Sequence, residues 1–99
     1  RFWLNLQDIV RAVEEQGCDC VVATLEKMSL YEQLQLASRT SILLGIHGSG
    51  LMNMHFMPKH SAVIEVYGYN TAQKARMYFA ARARRLGLHY RAIKVQRAE

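Results

Sequence analysis

The stretch Gly45-Ile46-His47-Gly48-Ser49-Gly50-Leu51-Met52-Asn53 gathers residue types that could do chemistry at close spacing. His47 brings an imidazole, a hydrogen-bond donor that also carries positive charge when protonated. Gly48 and Gly50 let the backbone turn tightly and come close to a ligand. The apolar run before the loop reads as a strand, and Leu51 to Phe56 after it has room for about two helical turns before Pro58 stops them. N–H groups at a helix start lack partners, and with the helix dipole they favour an anionic group such as a diphosphate. Asn53, three residues after Gly50, can face the same pocket. Each part has a plainer reading. A Gly-x-Gly turn occurs wherever a strand packs closely on a helix, His47 could be a satisfied structural histidine, and Asn53 a helix-surface residue. The order strand, His, Gly, Ser, Gly, helix, Asn says more than any of its parts.

A second polar residue stands out. Glu65 lies near the end of the apolar segment Ala62-Val63-Ile64-Glu65-Val66, where a carboxylate is costly to bury without partners. It could accept from the ribose hydroxyls of a nucleotide, or it could pair within the protein; the residues alone leave both readings open. His55 and His60 follow the pocket helix or its exit turn and read as surface residues. No carboxylate cluster suggests a metal, and Cys18 and Cys20 lack a nearby His at ligand spacing. That pair reads as small buried hydrophobes on one face of a strand.

The elements that must position these residues follow from periodicity. Asn5 can cap a helix with Leu6, Ile9, Val10 and Val13 at helical spacing, ended by Gly17. Cys18 to Leu25 reads as a strand. Ser29 and Glu32 form a capping box ahead of a short helix ending near Ser38. Ser41 to Ile46 has the continuous apolar character of a strand covered on both faces. Ala62 to Val66 is a further buried strand. Thr71 to Leu86 is the longest helix, with Ala72, Ala75, Phe79, Ala83 and Leu86 on one face and Gly87 at its end. A last strand runs from about His89 to Val95. Strands alternating with helices predict a Rossmann-like three-layer α/β unit with a mostly parallel sheet, which binds ligands beyond the carboxyl ends of its strands.

Composition sets the outer bounds. Ninety-nine residues, 51% of them hydrophobic, allow one globular domain over 1–99. No apolar run is long enough to span a bilayer. No targeting signal is visible, and a start at Arg1 rather than Met reads as a section of something longer. The net charge of +5 owes much to Lys74, Arg76, Arg82, Arg84, Arg85, Arg91, Lys94 and Arg97. This density admits a basic nucleic-acid-binding module, or a non-catalytic nucleotide- or phosphate-binding one. Without an aromatic stacking ladder it reads better as a solvated helix face, and no nucleic-acid partner is expected.

Leu43 to Pro58 followed by Ala62 to Val66 closely resembles the signature of glycosyltransferase family 61, with its His-Gly-Ala-Gly-Leu-x-Asn loop, Phe-Met-Pro segment and Val-Ile-Glu strand end. Ser49 stands where the family usually has Ala, a small-for-small change. Arg1 and Asn5, Ser29 to Leu36 and Gly87-Leu88-His89-Tyr90 are similar to further family segments. The resemblance implies the carboxy-terminal, donor-binding lobe of a larger GT-B type transferase. A nucleoside-diphosphate sugar, expected as a UDP-sugar, would be held by His47, Gly48, Ser49, Gly50 and Asn53, with Glu65 on the ribose and Arg1 on phosphate. No cofactor or metal is implied. The sugar would pass to a hydroxyl of a glycan or glycoprotein acceptor. The acceptor site and the catalytic base would belong to an amino-terminal lobe of the same protein, leaving this part inactive alone. Eukaryotic members of the family imply a Golgi or endoplasmic reticulum lumen.

Overall fold

The computed structural model describes residues 6–67 and 73–94, and the side chains of Ser49, residues 73–76 and Lys94 fall outside that description. Helix α1 (Leu6–Glu15) and helix α2 (Leu30–Ser38) precede strand β1 (Ile42–Ile46). A 3-10 helix (Ser49–Phe56), strand β2 (Ala62–Tyr67), helix α3 (Gln73–Arg85) and strand β3 (His89–Lys94) follow. The fold is α/β. Its sheet has three strands in the order β1-β2-β3, with both pairs parallel.

Local chemistry explains most boundaries. Ser29 Oγ accepts from the Glu32 N–H while the Glu32 carboxylate accepts from the Ser29 N–H, so the predicted capping box opens α2. Gly17 and Gly87 follow α1 and α3 in left-handed conformations, as residues beyond a helix end often do. Asn5, Thr71, Ala72 and Val95 lie outside the described residues.

Three expectations are corrected. No strand forms over Cys18 to Leu25. A strand exists only through a ladder partner, and this segment lies along α2 instead. Gln33 Nε2 holds it there by donating to the Leu25 and Met28 carbonyls at 3.0 and 3.2 Å. Cys18 is therefore exposed and Cys20 half-buried, rather than both lying in a core. The element after the loop is a 3-10 helix, not an α-helix, and starts at Ser49. Its apolar residues show why: Leu51, Met54 and Met57 are all buried, and their spacing of three matches three residues per turn. Finally, β1 is not covered on both faces. Ile42 is 53% and Leu44 36% exposed.

Register sorts the sheet into two faces. Leu43 and Gly45 of β1 lie beside Val63 and Glu65 of β2, and these beside Tyr90 and Ala92 of β3. α3 and the 3-10 helix pack on this face. Leu51, Met54, Val63, Phe79, Ala83 and Leu88 form its core, with Leu43, Leu86 and Tyr90 at the margin. α2 then packs on the 3-10 helix through Ala37. The expected apolar face of α3 thus holds for Phe79, Ala83 and Leu86. The opposite face of the sheet presents Ile42, Leu44, Arg91 and Ile93, all exposed.

Candidate functional site

The loop leaves the sheet at the carboxyl end of β1. The His47 N–H donates to the Val66 carbonyl at 2.7 Å, extending the ladder by one bond beyond the strand. This anchors the backbone that carries the imidazole. Gly48 follows with φ 156° and ψ 178°, a conformation essentially confined to glycine. A side chain there would have space, since the nearest heavy atom to a Cβ is the Ile46 carbonyl oxygen at 3.8 Å. The glycine is required by the torsion angles, not by crowding. Gly50 is different, because a Cβ would lie 3.1 Å from Leu25 Cδ1. Its bareness makes room for the segment ahead of α2.

His47 and Glu65 meet on the covered face. Glu65 occupies the central strand between Gly45 and Ala92, and its residue is 0% exposed. These small lateral neighbours leave room for larger side chains to converge from further along the outer strands. His47 Nδ1 bonds Glu65 Oε2 from the β1 side, and the Tyr90 hydroxyl donates to Oε1 at 2.5 Å from the β3 side. Both oxygens of a fully buried carboxylate are thereby engaged, which meets the condition for burying a charge. Burial raises the Tyr90 hydroxyl far above the usual tyrosine range, and its bond to the Glu65 carboxylate adds to the effect.

The His47 side chain keeps 23% of its surface exposed while Glu65 beneath it has none. Phe79 packs edge-to-face on the imidazole with ring centroids 5.4 Å apart. The ring is therefore held at its inner nitrogen and flanked by an aromatic ring. A carboxylate in its ionised form can only accept, which makes Nδ1 the donor in this pair, and Nε2 is the nitrogen remaining for a ligand.

The other expected site residues are placed as follows. Asn53 Nδ2 donates to the Gly50 carbonyl at 3.0 Å and to Gln33 Oε1 at 3.3 Å. Its amide ties the 3-10 helix to α2. Ser49 begins that helix, but its side chain lies outside the described residues, as does Arg1 altogether. His55 is exposed; its Nδ1 bonds the Met52 carbonyl and its Nε2 meets the Arg82 guanidinium at 3.3 Å. Arg82 also stacks over the Tyr78 ring, 4.5 Å from its centroid. His60 is exposed in the exit turn at φ 74°. Among the described residues, no three of His, Cys, Asp and Glu gather as a metal-ligand group, and no helix is long and apolar enough to cross a membrane.

Sequence reasoning overlooked Tyr90, Phe79 and Gln33 as parts of the site. The available signal was the carboxylate itself. A buried Glu65 requires two donors, and on neighbouring parallel strands the same-face positions near it include Tyr90.

Residues 1–64 match the glycosyltransferase 61 family. An alpha-1,3-arabinosyltransferase of Oryza sativa subsp. japonica is 29% identical over 93 residues, covering 92% of this chain and 16% of its own length. An EGF domain-specific O-linked N-acetylglucosamine transferase of Canis lupus familiaris is 31% identical over 96 residues, covering 88% and 16%. Its counterpart in Mus musculus is 34% identical with the same coverage. The chain thus spans about a sixth of the length of these curated relatives.

Proposed function

The chain belongs to the glycosyltransferase 61 family, and we propose that it forms the donor-binding part of a transferase that moves a sugar from a nucleoside diphosphate to a hydroxyl of a glycan or glycoprotein. The observation that carries this reading is the placement of His47. A side chain anchored on a buried carboxylate and partly open at the carboxyl end of a parallel strand stands where such sheets bind ligands. A Gly48 turn and a helix start follow it directly, and these suit a diphosphate.

In this reading the Nε2–H of a protonated His47 and the N–H groups of Gly48, Ser49 and Gly50 hold the diphosphate. As the bond from the sugar C1 to the phosphate oxygen breaks, charge develops on that oxygen, and oriented donors stabilise it. The acceptor oxygen forms the new bond to C1 and gives up its proton to a base in the remainder of the protein. Asn53 fixes the helix that presents the N–H groups. Glu65 serves His47 rather than the ribose, because a hydroxyl could reach it only by displacing His47 or Tyr90. Arg1 is a further phosphate contact.

The fold supports a Rossmann-like unit and, within the whole protein, one lobe of a GT-B arrangement, with the exposed sheet face covered by other parts of the chain. The names of the relatives favour an activated pentose or N-acetylhexosamine as the donor, and UDP is the nucleotide we propose for it. EGF modules are secreted, disulfide-bonded domains, so an acceptor of that kind would support a place in the Golgi or endoplasmic reticulum lumen.

The test is donor binding by the complete protein, measured calorimetrically with UDP-arabinose and UDP-N-acetylglucosamine. His47→Ala removes a charge-assisted hydrogen bond and should weaken the preferred donor by about tenfold or more. Wild-type affinity and turnover in His47→Ala would refute the assignment.

A further inference from the structure

We propose that Tyr90 is a positioning residue of the donor site: by occupying one oxygen of buried Glu65, it commits the other to His47 Nδ1–H, so that the second proton, which makes the ring a cationic donor, goes to Nε2 facing the diphosphate. The proposal rests on the donor-site reading and adds to it the device that sets the imidazole's tautomer and direction.

The geometry carries it. Glu65 is inaccessible to water, so neither of its oxygens can exchange a protein donor for solvent. The Tyr90 hydroxyl reaches Oε1 from β3 and His47 reaches Oε2 from β1, and the strands bearing them lie on opposite sides of β2. Each donor has its own oxygen. Tyr90 also stays a phenol well beyond neutral pH, since burial and the carboxylate both oppose its ionisation. It is therefore a permanent donor.

Without that hydroxyl, Oε1 loses the donor that reaches it from β3. The carboxylate can then rotate toward a shared contact with His47 or take up a proton, and either change frees the imidazole from a single tautomer. No other ionisable partner compensates among the described contacts of the His47 ring: from α3 it meets the Phe79 ring, and Arg82 on the same helix is engaged with Tyr78 and His55. Tyr67, on the same face of β2 as Glu65, also acts on Tyr90 electrostatically. Nothing in this arrangement needs Tyr90 to touch the donor.

The experiment uses the full-length protein with 15N-labelled histidine, the His47 signal being identified by its loss in His47→Ala. At a pH where the ring is neutral, the wild type should show the Nδ1–H tautomer. Tyr90→Phe should give a mixture of tautomers and bind UDP-arabinose or UDP-N-acetylglucosamine about three- to tenfold more weakly, as expected for loss of one indirect hydrogen bond. A Tyr90 that only stabilises the fold would lower the melting temperature and leave both tautomer and affinity at wild-type values, which overturns the proposal. An Nε2–H tautomer in the wild type overturns it as well. Should Tyr90→Phe not fold, Glu65→Gln carries the test. With Tyr90 donating to the amide oxygen, the amide NH2 faces Nδ1 and His47 should turn to its Nε2–H tautomer; persistence of Nδ1–H refutes the assignment. Unchanged donor affinity in His47→Ala instead removes the donor site itself, whatever the tautomer shows.

Discussion

The two faces of the central sheet are built from the same strands and follow opposite rules. One face buries a carboxylate at 0% exposure beneath α3 and the 3-10 helix, and the other leaves Ile42 and Ile93 more than half exposed. A polar group tolerates burial because its donors sit in adjacent strands, whereas apolar groups are exposed because no described element covers them. Parallel sheets are ordinarily covered on both sides. The contrast therefore separates what this chain completes by itself, the polar cluster under His47, from the cover that the proposed larger transferase supplies.

Substitutions on each face can break or sharpen that contrast. The largest effect is expected from Leu51→Ala on the covered side. Leu51 is 1% exposed and touches the space above Gly45, so its truncation should cost about 2–5 kcal/mol in denaturant unfolding. A loss below about 1 kcal/mol would mean that the covered face is not a packed core. Gly48→Ala should cost about 1–3 kcal/mol through backbone strain alone, because the site has space for a methyl group. A neutral result there would show that the turn adopts another conformation.

The same face should fail at alkaline pH. With its ionisation raised by burial, Tyr90 keeps its proton in the folded state while the unfolded chain loses it above about pH 10. The native state then holds more protons than the unfolded state, so stability falls as pH rises past that point. Tyr90→Phe should flatten this alkaline decline in urea midpoints, and an unchanged slope would assign it to other groups. The smallest effect is expected on the open face. Ile42→Ser should change the stability of this chain by no more than about 0.5 kcal/mol. In the whole protein the same change should cost clearly more if that face is covered there, and an equal cost in both would leave the face open.

Much of the architecture was legible in the sequence, and the exceptions share a cause. The capping box at Ser29 and Glu32, the terminating Gly17 and Gly87 and the alternation of strands with helices rest on local chemistry that a neighbour cannot easily override. Cys18 to Leu25 misled because an extended apolar segment becomes a strand only if a ladder accepts it, and here Gln33 holds it to α2. The pocket helix misled because six residues before a proline suit either helix type. The spacing of Leu51, Met54 and Met57 decides in favour of the tighter one once all three face a core.

The candidate site divides in the same way. Sequence alone determined that an imidazole, a glycine turn and a helix start follow one another at the end of a strand, because their order along the chain is also their order in space. It determined as well that Glu65 would need partners, since an apolar strand gives a carboxylate none. Only the tertiary structure decided which partners those are. His47 and Tyr90 lie 18 and 25 residues from Glu65, and parallel pairing in this register brings them to its two oxygens. The register depends on the whole sheet, and no segment of the chain encodes it alone.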